Sequence, residues 1–129
     1  MIRFARSMSV EAFMRLDAHE QRARQLEHAI AILGDPTTDP DIVPSLIENY
    51  WGAAFHWVAY GCQSKFGKHK ENHTQLGRYL RDLGEPMIAT RWDSLEHIRQ
   101  SAMYAYSAAP DDAARARDDW EAIRLWSLS

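Results

Sequence analysis

Residues 45–62 read SLIENYWGAAFHWVAYGC, and a helix drawn through them has no clearly polar face. Aromatic rings stand at Tyr50, Trp51, Phe55, Trp57 and Tyr60, with the small residues Gly52, Ala53, Ala54 and Gly61 between and beside them. A helix that is apolar all round is central and buried, and its small residues let neighbouring helix axes approach closely. Five rings exceed what the interior of a small bundle needs. Part of this helix is therefore expected to face another subunit, since exposed aromatic patches mark interfaces. Ser45 with Glu48 reads as a capping box at its start.

Upstream, Leu16, Ala23 and Ile30 recur every seven residues, and Leu26 and Leu33 each fall three beyond a member of that series. This is the stripe of an amphipathic helix from about Ser9 to Leu33. Ser9 reads as its N-cap and Glu11 as first-turn charge, with Gly34 and Pro36 stopping it. His19 lies on the same stripe and reads as a core or rim histidine. Downstream, a third segment runs from about Lys70 to Leu83. His69, His73, Leu76, Leu80 and Leu83 advance by four, three, four and three, so they share one face. A fourth segment starts at Pro86, which suits a first helical position, and extends to about Ala108 with Ile88, Leu95, Ile98 and Ala102 on one side. A fifth starts at Pro110, with Asp111 and Asp112 in its first turn and Trp120, Ile123 and Trp126 on its apolar side. Glu121 and Arg124 are spaced to pair on its surface. Glycine and proline cluster only between these segments, and no strand alternation or internal repeat appears. The fold class is all-α: one domain over residues 1–129, an up-and-down helical bundle of about five helices.

The 129 residues carry a formal charge of −3, so the chain is not a general polyanion binder, although a local basic patch remains open. That patch is Lys65, Lys68, Lys70, Arg78 and Arg81, which is either a solvated helix face or a contact for RNA. Cys62 is the single cysteine and excludes an intrachain disulfide. Its neighbours Ala59, Tyr60 and Gly61 suit a packed thiol better than a nucleophile, which needs a base and an electropositive setting. The N-terminus MIRFARSMSVEAF has arginines but no apolar run of a secretory signal, and no stretch is long and apolar enough for a bilayer. The expected location is cytoplasmic, with no membrane partner and no cofactor.

Two constellations carry candidate chemistry. In GKHKENHTQL (67–76), His69 and His73 sit four apart and could reach one metal ion from a helix, with His56, His28 and Glu27 as further ligands in space. No Glu follows His69 directly, so the zinc-protease pattern is missing. The other reading of His73 is a helix-start histidine bonded across to the second helix. In RWDSLEH (91–97), His97 could move a proton at an RNA 2′-hydroxyl while Arg91 stabilises the phosphorane. The competing reading is an exposed Arg91 and a surface His97 paired with Asp93. On a regular helix six steps leave Arg91 and His97 roughly 120° apart, so two copies across a dimer would be needed to bring them together. No Gly-x-Ser-x-Gly elbow or glycine-rich phosphate loop is present.

ENYWGAAFHWVAYGC followed by KENHTQLGRYLRDLG resembles the HEPN family, the higher-eukaryote and prokaryote nucleotide-binding helical domain. His73 with Leu76 matches that family's His-x-x-Leu opening of the third helix. LEHIRQSAMYAY matches its Leu-x-x-Arg-x-x-Ala-x-Tyr segment through Leu95, Arg99, Ala102 and Tyr104, and AARARDDWEAIRLW fits its last helix. The similarity spans roughly residues 45–128. It implies a four- or five-helix bundle, a homodimer, and an association with nucleotides or RNA, which Lys68, Lys70, Arg78 and Arg99 would meet. Many members are ribonucleases with Arg-x(4–6)-His, a spacing Arg91 and His97 satisfy, although Trp92 stands where a polar residue usually follows the arginine. Others are partners of nucleotidyltransferases in toxin–antitoxin pairs, or scaffolds. Three functions follow as expectations: a homodimeric HEPN-like interaction module, a metal-independent ribonuclease using Arg91 and His97, or a histidine-based metal-binding bundle.

Overall fold

The computed structural model describes residues 10–105 and 108–129, and of residues 11–14 and 105 the backbone alone. The expected cap at Ser9 and the Glu11 side chain lie outside the described residues. The chain forms α1 (Val10–Leu33), α2 (Val43–Phe66), α3 (Leu76–Asp82), α4 (Pro86–Ala105) and α5 (Pro110–Leu128), with single 3₁₀ turns at Pro40–Ile42 and His73–Gln75 and no strand among the described residues. Paired side chains give the directions. His19 meets His56 while Leu26 lies under Gly52, so α1 and α2 run antiparallel. Arg99 meets Glu48 and Trp92 meets Phe55, so α4 is antiparallel to α2. Tyr50 meets Trp120 and Gly61 meets Trp126, so α5 runs with α2. The result is the expected up-and-down bundle, with α3 as the short extra helix.

Because α2 packs against α1, α4 and α5, three of its sides need apolar cover. Tyr50, Trp57 and Tyr60 supply it and are buried, whereas Trp51 and Phe55 remain partly exposed. Most of the apparent aromatic excess therefore closes inside a single chain. Glu27 of α1 fixes the arrangement: its Oε2 accepts from Trp57 Nε1 at 2.7 Å and Trp120 Nε1 at 2.9 Å and lies 3.4 Å from Arg124. Arg124 thus reaches α1 instead of pairing with Glu121 on its own helix.

Two helix starts differ from the sequence reading, and the second decides the site. The Ser45–Glu48 capping box does not form, because α2 begins two residues earlier. The Asp39 carboxylate accepts from the Asp41 amide, a 3₁₀ turn opens at Pro40, and Pro44 occupies the first turn of α2, where a missing N–H costs nothing. Glu48 instead takes Arg99, at 2.9 Å. The third helix starts at Leu76, not Lys70. The Asn72 side chain accepts from the amide of Thr74 at 3.1 Å and from its hydroxyl at 2.6 Å, which caps a 3₁₀ turn instead of letting a helix run through it. Gly67 ends α2 at φ 72°, and residues 67–72 form a connecting loop. His69 is therefore a loop residue, and the expected His69–His73 helical pair is not made. No helix among the described residues is long and apolar enough to cross a membrane.

Candidate metal centre

His19 enters the site because it shares the buried stripe of α1 with Leu16 and Ala23, three and four residues away. From α2, His56 faces it across the antiparallel contact, and the two Nδ1 atoms lie 2.9 Å apart. One turn-pair further along α2, Gln63 is buried and its Oε1 lies 2.8 Å from His69 Nδ1. The loop after Gly67 then folds back so that Glu71 Oε1 stands 3.4 Å from His69 Nε2 and 3.6 Å from His19 Nε2. The two imidazoles pack edge-on with centroids 5.0 Å apart. Their side chains are 11% and 8% exposed, while Glu71 is 66% exposed, so the carboxylate forms the solvent-facing rim of the site.

The second nitrogens set the proton positions. With Gln63 Oε1 as acceptor, the tautomer that satisfies the contact has the proton on His69 Nδ1 and a lone pair on Nε2. The Nδ1–Nδ1 contact needs one proton, and placing it on His19 leaves His19 Nε2 a lone pair as well. In that pair of tautomers two lone-pair nitrogens and a carboxylate oxygen converge, the arrangement an ion would require. All three ligand atoms lie within 4.8 Å of one another. At 3.4 and 3.6 Å the contacts to Glu71 are long for hydrogen bonds, whose N···O distance is about 2.7–3.2 Å. They match the edge of a tetrahedron with metal–ligand bonds of about 2.0–2.1 Å, which is roughly 3.3–3.4 Å.

Burial favours the neutral forms of His19 and His56, and the neutral imidazole is the form that ligates. Burial pushes His56 down to about 4, with the nearby His19 and Arg22 adding to the effect. His19 is lowered first by burial and then by His69, against the opposing pull of Glu71. Contact with His69, and then with His19, holds the Glu71 carboxyl below the ordinary carboxylate range and favours its ionised form.

The other candidate residues lie elsewhere. His73 Nδ1 is 3.3 Å from Glu96, and its ring meets Trp51 edge-on. His28 is exposed on α1, and Glu27 is taken by two indoles and Arg124. Of the set His56, His69 and His73, the fold places the first two each beside His19 and leaves the third with Glu96. Arg91 reaches the buried Asp119 at 3.3 Å, and His97 is exposed on the same continuous helix. Asp93 pairs with Arg81 at 2.8 Å, not with His97. Among the basic residues, Arg99 grips Glu48 and lies 4.0 Å over the Trp51 ring, Lys70 lies over Tyr79, and Lys65 reaches the Ser129 carbonyl. Lys68 and Arg78 are exposed. Cys62 is fully buried and its thiol is pushed up to about 12 by burial, which makes it inert.

Sequence reasoning passed over His19 and Glu71 as ligands. A signal for His19 existed: a polar residue seven before Leu26 on an otherwise apolar stripe. Glu71 offered only its place two residues after His69, which means little until the loop is known. No protein-family model matches the chain, and neither curated proteins nor solved structures include a significant match to it.

Proposed function

We propose that this chain is a helical-bundle metal-binding protein, in which His19, His69 and Glu71 hold one divalent transition ion and leave a further coordination position open to solvent. Two imidazoles and one carboxylate form a borderline N/O donor set that suits zinc and its neighbours better than calcium or magnesium, which prefer all-oxygen shells. Three protein ligands with an open position is the pattern of a catalytic zinc centre more than a structural one. His56 and Gln63 are the outer partners that orient the ligand rings. The observation that carries the reading is the convergence of two imidazole nitrogens and a carboxylate oxygen within 4.8 Å of one another, with the oxygen 3.4 and 3.6 Å from the two nitrogens. Untagged protein, stripped with chelator and reloaded with zinc, is expected to retain one ion per chain by elemental analysis. His19→Ala and Glu71→Ala are expected to lose it. Absence of stoichiometric metal in the parent protein refutes the proposal.

A second reading, the homodimeric HEPN-like module, draws on a separate observation. Trp51 and Phe55 stay partly exposed on α2, and Met103 and Tyr104 stand 42% and 74% exposed at the end of α4. Light scattering tests the dimer, and Met103→Lys with Tyr104→Lys is expected to dissociate it. The ribonuclease form of this reading requires cleavage of RNA in EDTA that His97→Ala abolishes.

A further inference from the structure

One stripe of α2 faces one stripe of α4 along a shared seam. Pro44, Ile47, Glu48 and Trp51 follow helical spacing on α2, and Glu96, Arg99, Ala102 and Met103 do so on α4. At one end of the seam Glu96 Oε1 accepts from Trp51 Nε1 at 2.5 Å, which anchors the indole. The Arg99 guanidinium lies 4.0 Å over that ring. Both Glu48 oxygens take the Arg99 Nε–H, at 2.9 and 3.1 Å. The edge formed by the two Nη groups of Arg99 has no hydrogen-bond partner among the described residues. Further along the seam lies a cavity of about 330 Å³, lined by Glu48 and Arg99 at one end and by Pro44, Ile47, Ala102 and Met103 around the rest. Ile47 is fully buried and forms its floor, while the exposed Pro44 and Met103 stand at its mouth.

We infer that this cavity binds a small apolar monocarboxylate, with its carboxylate on the Nη edge of Arg99 and its hydrocarbon body against Ile47, Ala102 and Met103. Four of the six lining side chains are apolar, which favours a hydrocarbon body. The volume falls at the small end of ligand cavities, which run from about 300 to 1,000 Å³, so the body is short. A guanidinium edge matches a carboxylate as a bidentate pair. The Trp51 ring holds that edge in place beforehand, so less freedom is lost on binding. Exposure decides the sign of the head group. The Glu48 side chain is 47% exposed and that of Arg99 only 21%, so water already serves the free lone pairs of Glu48, and the Arg99 donors gain more from a partner. A cationic head would have to compete with Arg99 for Glu48. A dianion such as phosphate would bring two charges against the Glu48 carboxylate on the same wall, and a monocarboxylate brings one. Met103 is unbranched and flexible and adapts the mouth to the chain it covers. The site needs neither the metal nor a second copy of the protein.

Hexanoate is titrated into isotopically labelled, metal-stripped protein at neutral pH, with hexanol and hexylammonium as matched probes. Nuclear magnetic resonance shifts of the Trp51 indole N–H and the Arg99 Nε–H report the site. Saturable binding of one hexanoate per chain is expected, on the order of ten-fold tighter than hexanol, the effect of a charge-assisted pair at a partly exposed position. Glu48→Gln removes the neighbouring negative charge at an exposed position and is expected to tighten hexanoate roughly a few-fold. Ala102→Leu fills the cavity and is expected to abolish binding with the melting temperature retained. Arg99→Gln is expected to bring hexanoate down to the affinity of hexanol, and it carries the test where Ala102→Leu fails to fold. Equal affinity for hexanoate and hexanol in the parent protein overturns the role of Arg99, and tighter binding of hexylammonium overturns the anionic head group. Hexanoate affinity unchanged in both Ala102→Leu and Arg99→Gln overturns the site. Hexanoate shifts that vanish as the protein is concentrated into a dimer assign the cavity to a second copy and overturn the small-molecule reading.

Discussion

Gln63 gives the sharpest test of how the centre is held. Its side chain touches no proposed ion; its Oε1 accepts a hydrogen bond from His69 Nδ1–H at 2.8 Å within a buried setting. Gln63→Leu keeps an apolar body of similar size and removes the acceptor. The His69 ring then loses the partner that fixes its tautomer, and a buried N–H goes unpaired at a cost of about 1–3 kcal/mol. Part of this is recovered when the ring turns over, but the turned ring no longer offers Nε2 to the ion. Loss of such an outer partner weakens metal binding by about 10–100-fold, or roughly 1.4–2.7 kcal/mol. Gln63→Glu places a charged acceptor at the same atom, which strengthens the bond to Nδ1–H and keeps Nε2 free. Zinc affinity is read by competition against a chromophoric chelator near neutral pH. The expected order is Glu at least equal to parent, with Leu well below. If the Leu variant holds zinc as tightly as the parent while His69→Ala loses it, the tautomer argument is wrong.

Other outcomes follow from the packing. Gly61→Ala would bring a Cβ to 2.5 and 2.9 Å from the Trp126 ring and 3.1 Å from the Ser127 Cα. Overpacking of about 1–3 kcal/mol outweighs a helix-propensity gain of up to about 1 kcal/mol, so Tm is expected to fall by roughly 4–7 °C. At Gly52 the same Cβ meets only the end of the Leu26 side chain, at 3.0 Å, which can move, so Gly52→Ala is expected to gain about 0.5 kcal/mol in denaturant melts. Burial raises the Asp119 pKa against the pull of Arg91, so its protonated form favours the fold. That contribution is present below the ordinary carboxylate range and is lost as pH rises through the raised value. Asp119→Asn does not titrate, so its stability relative to parent is expected to increase between acid and neutral pH. Cys62 is expected to resist thiol reagents in the folded chain and to react fully in denaturant, because its thiolate is both buried and disfavoured.

The bundle was legible because its signals are periodic. The seven-residue rhythm of Leu16, Ala23 and Ile30 and the prolines at 86 and 110 specify helices through local physics that tertiary contacts do not override. Two starts were misjudged where side-chain bonds compete with helix formation. Pro44 and Asp39 moved the start of α2 ahead of Ser45, and Asn72 with Thr74 shortened the third helix. That second shift is why the site was only half visible. Reading His69 and His73 on one helix face made them partners, whereas the loop turns His69 toward α1 and leaves His73 with Glu96. Glu71 becomes a candidate only once residues 67–72 have a path. The fates of Tyr50, Trp57 and Tyr60 depended on how many helices touch α2, which the composition of one segment does not state.

The exposed Glu71 has a consequence for how an ion would come and go. His19 is carried by a long helix and His69 is backed by α2, but the carboxylate hangs on a short connecting stretch at the rim. Exchange would need only the Glu71 side chain to swing aside, with every rod of the bundle still in place. Chelators would then empty the protein without melting it, unlike zinc fingers, which collapse when stripped.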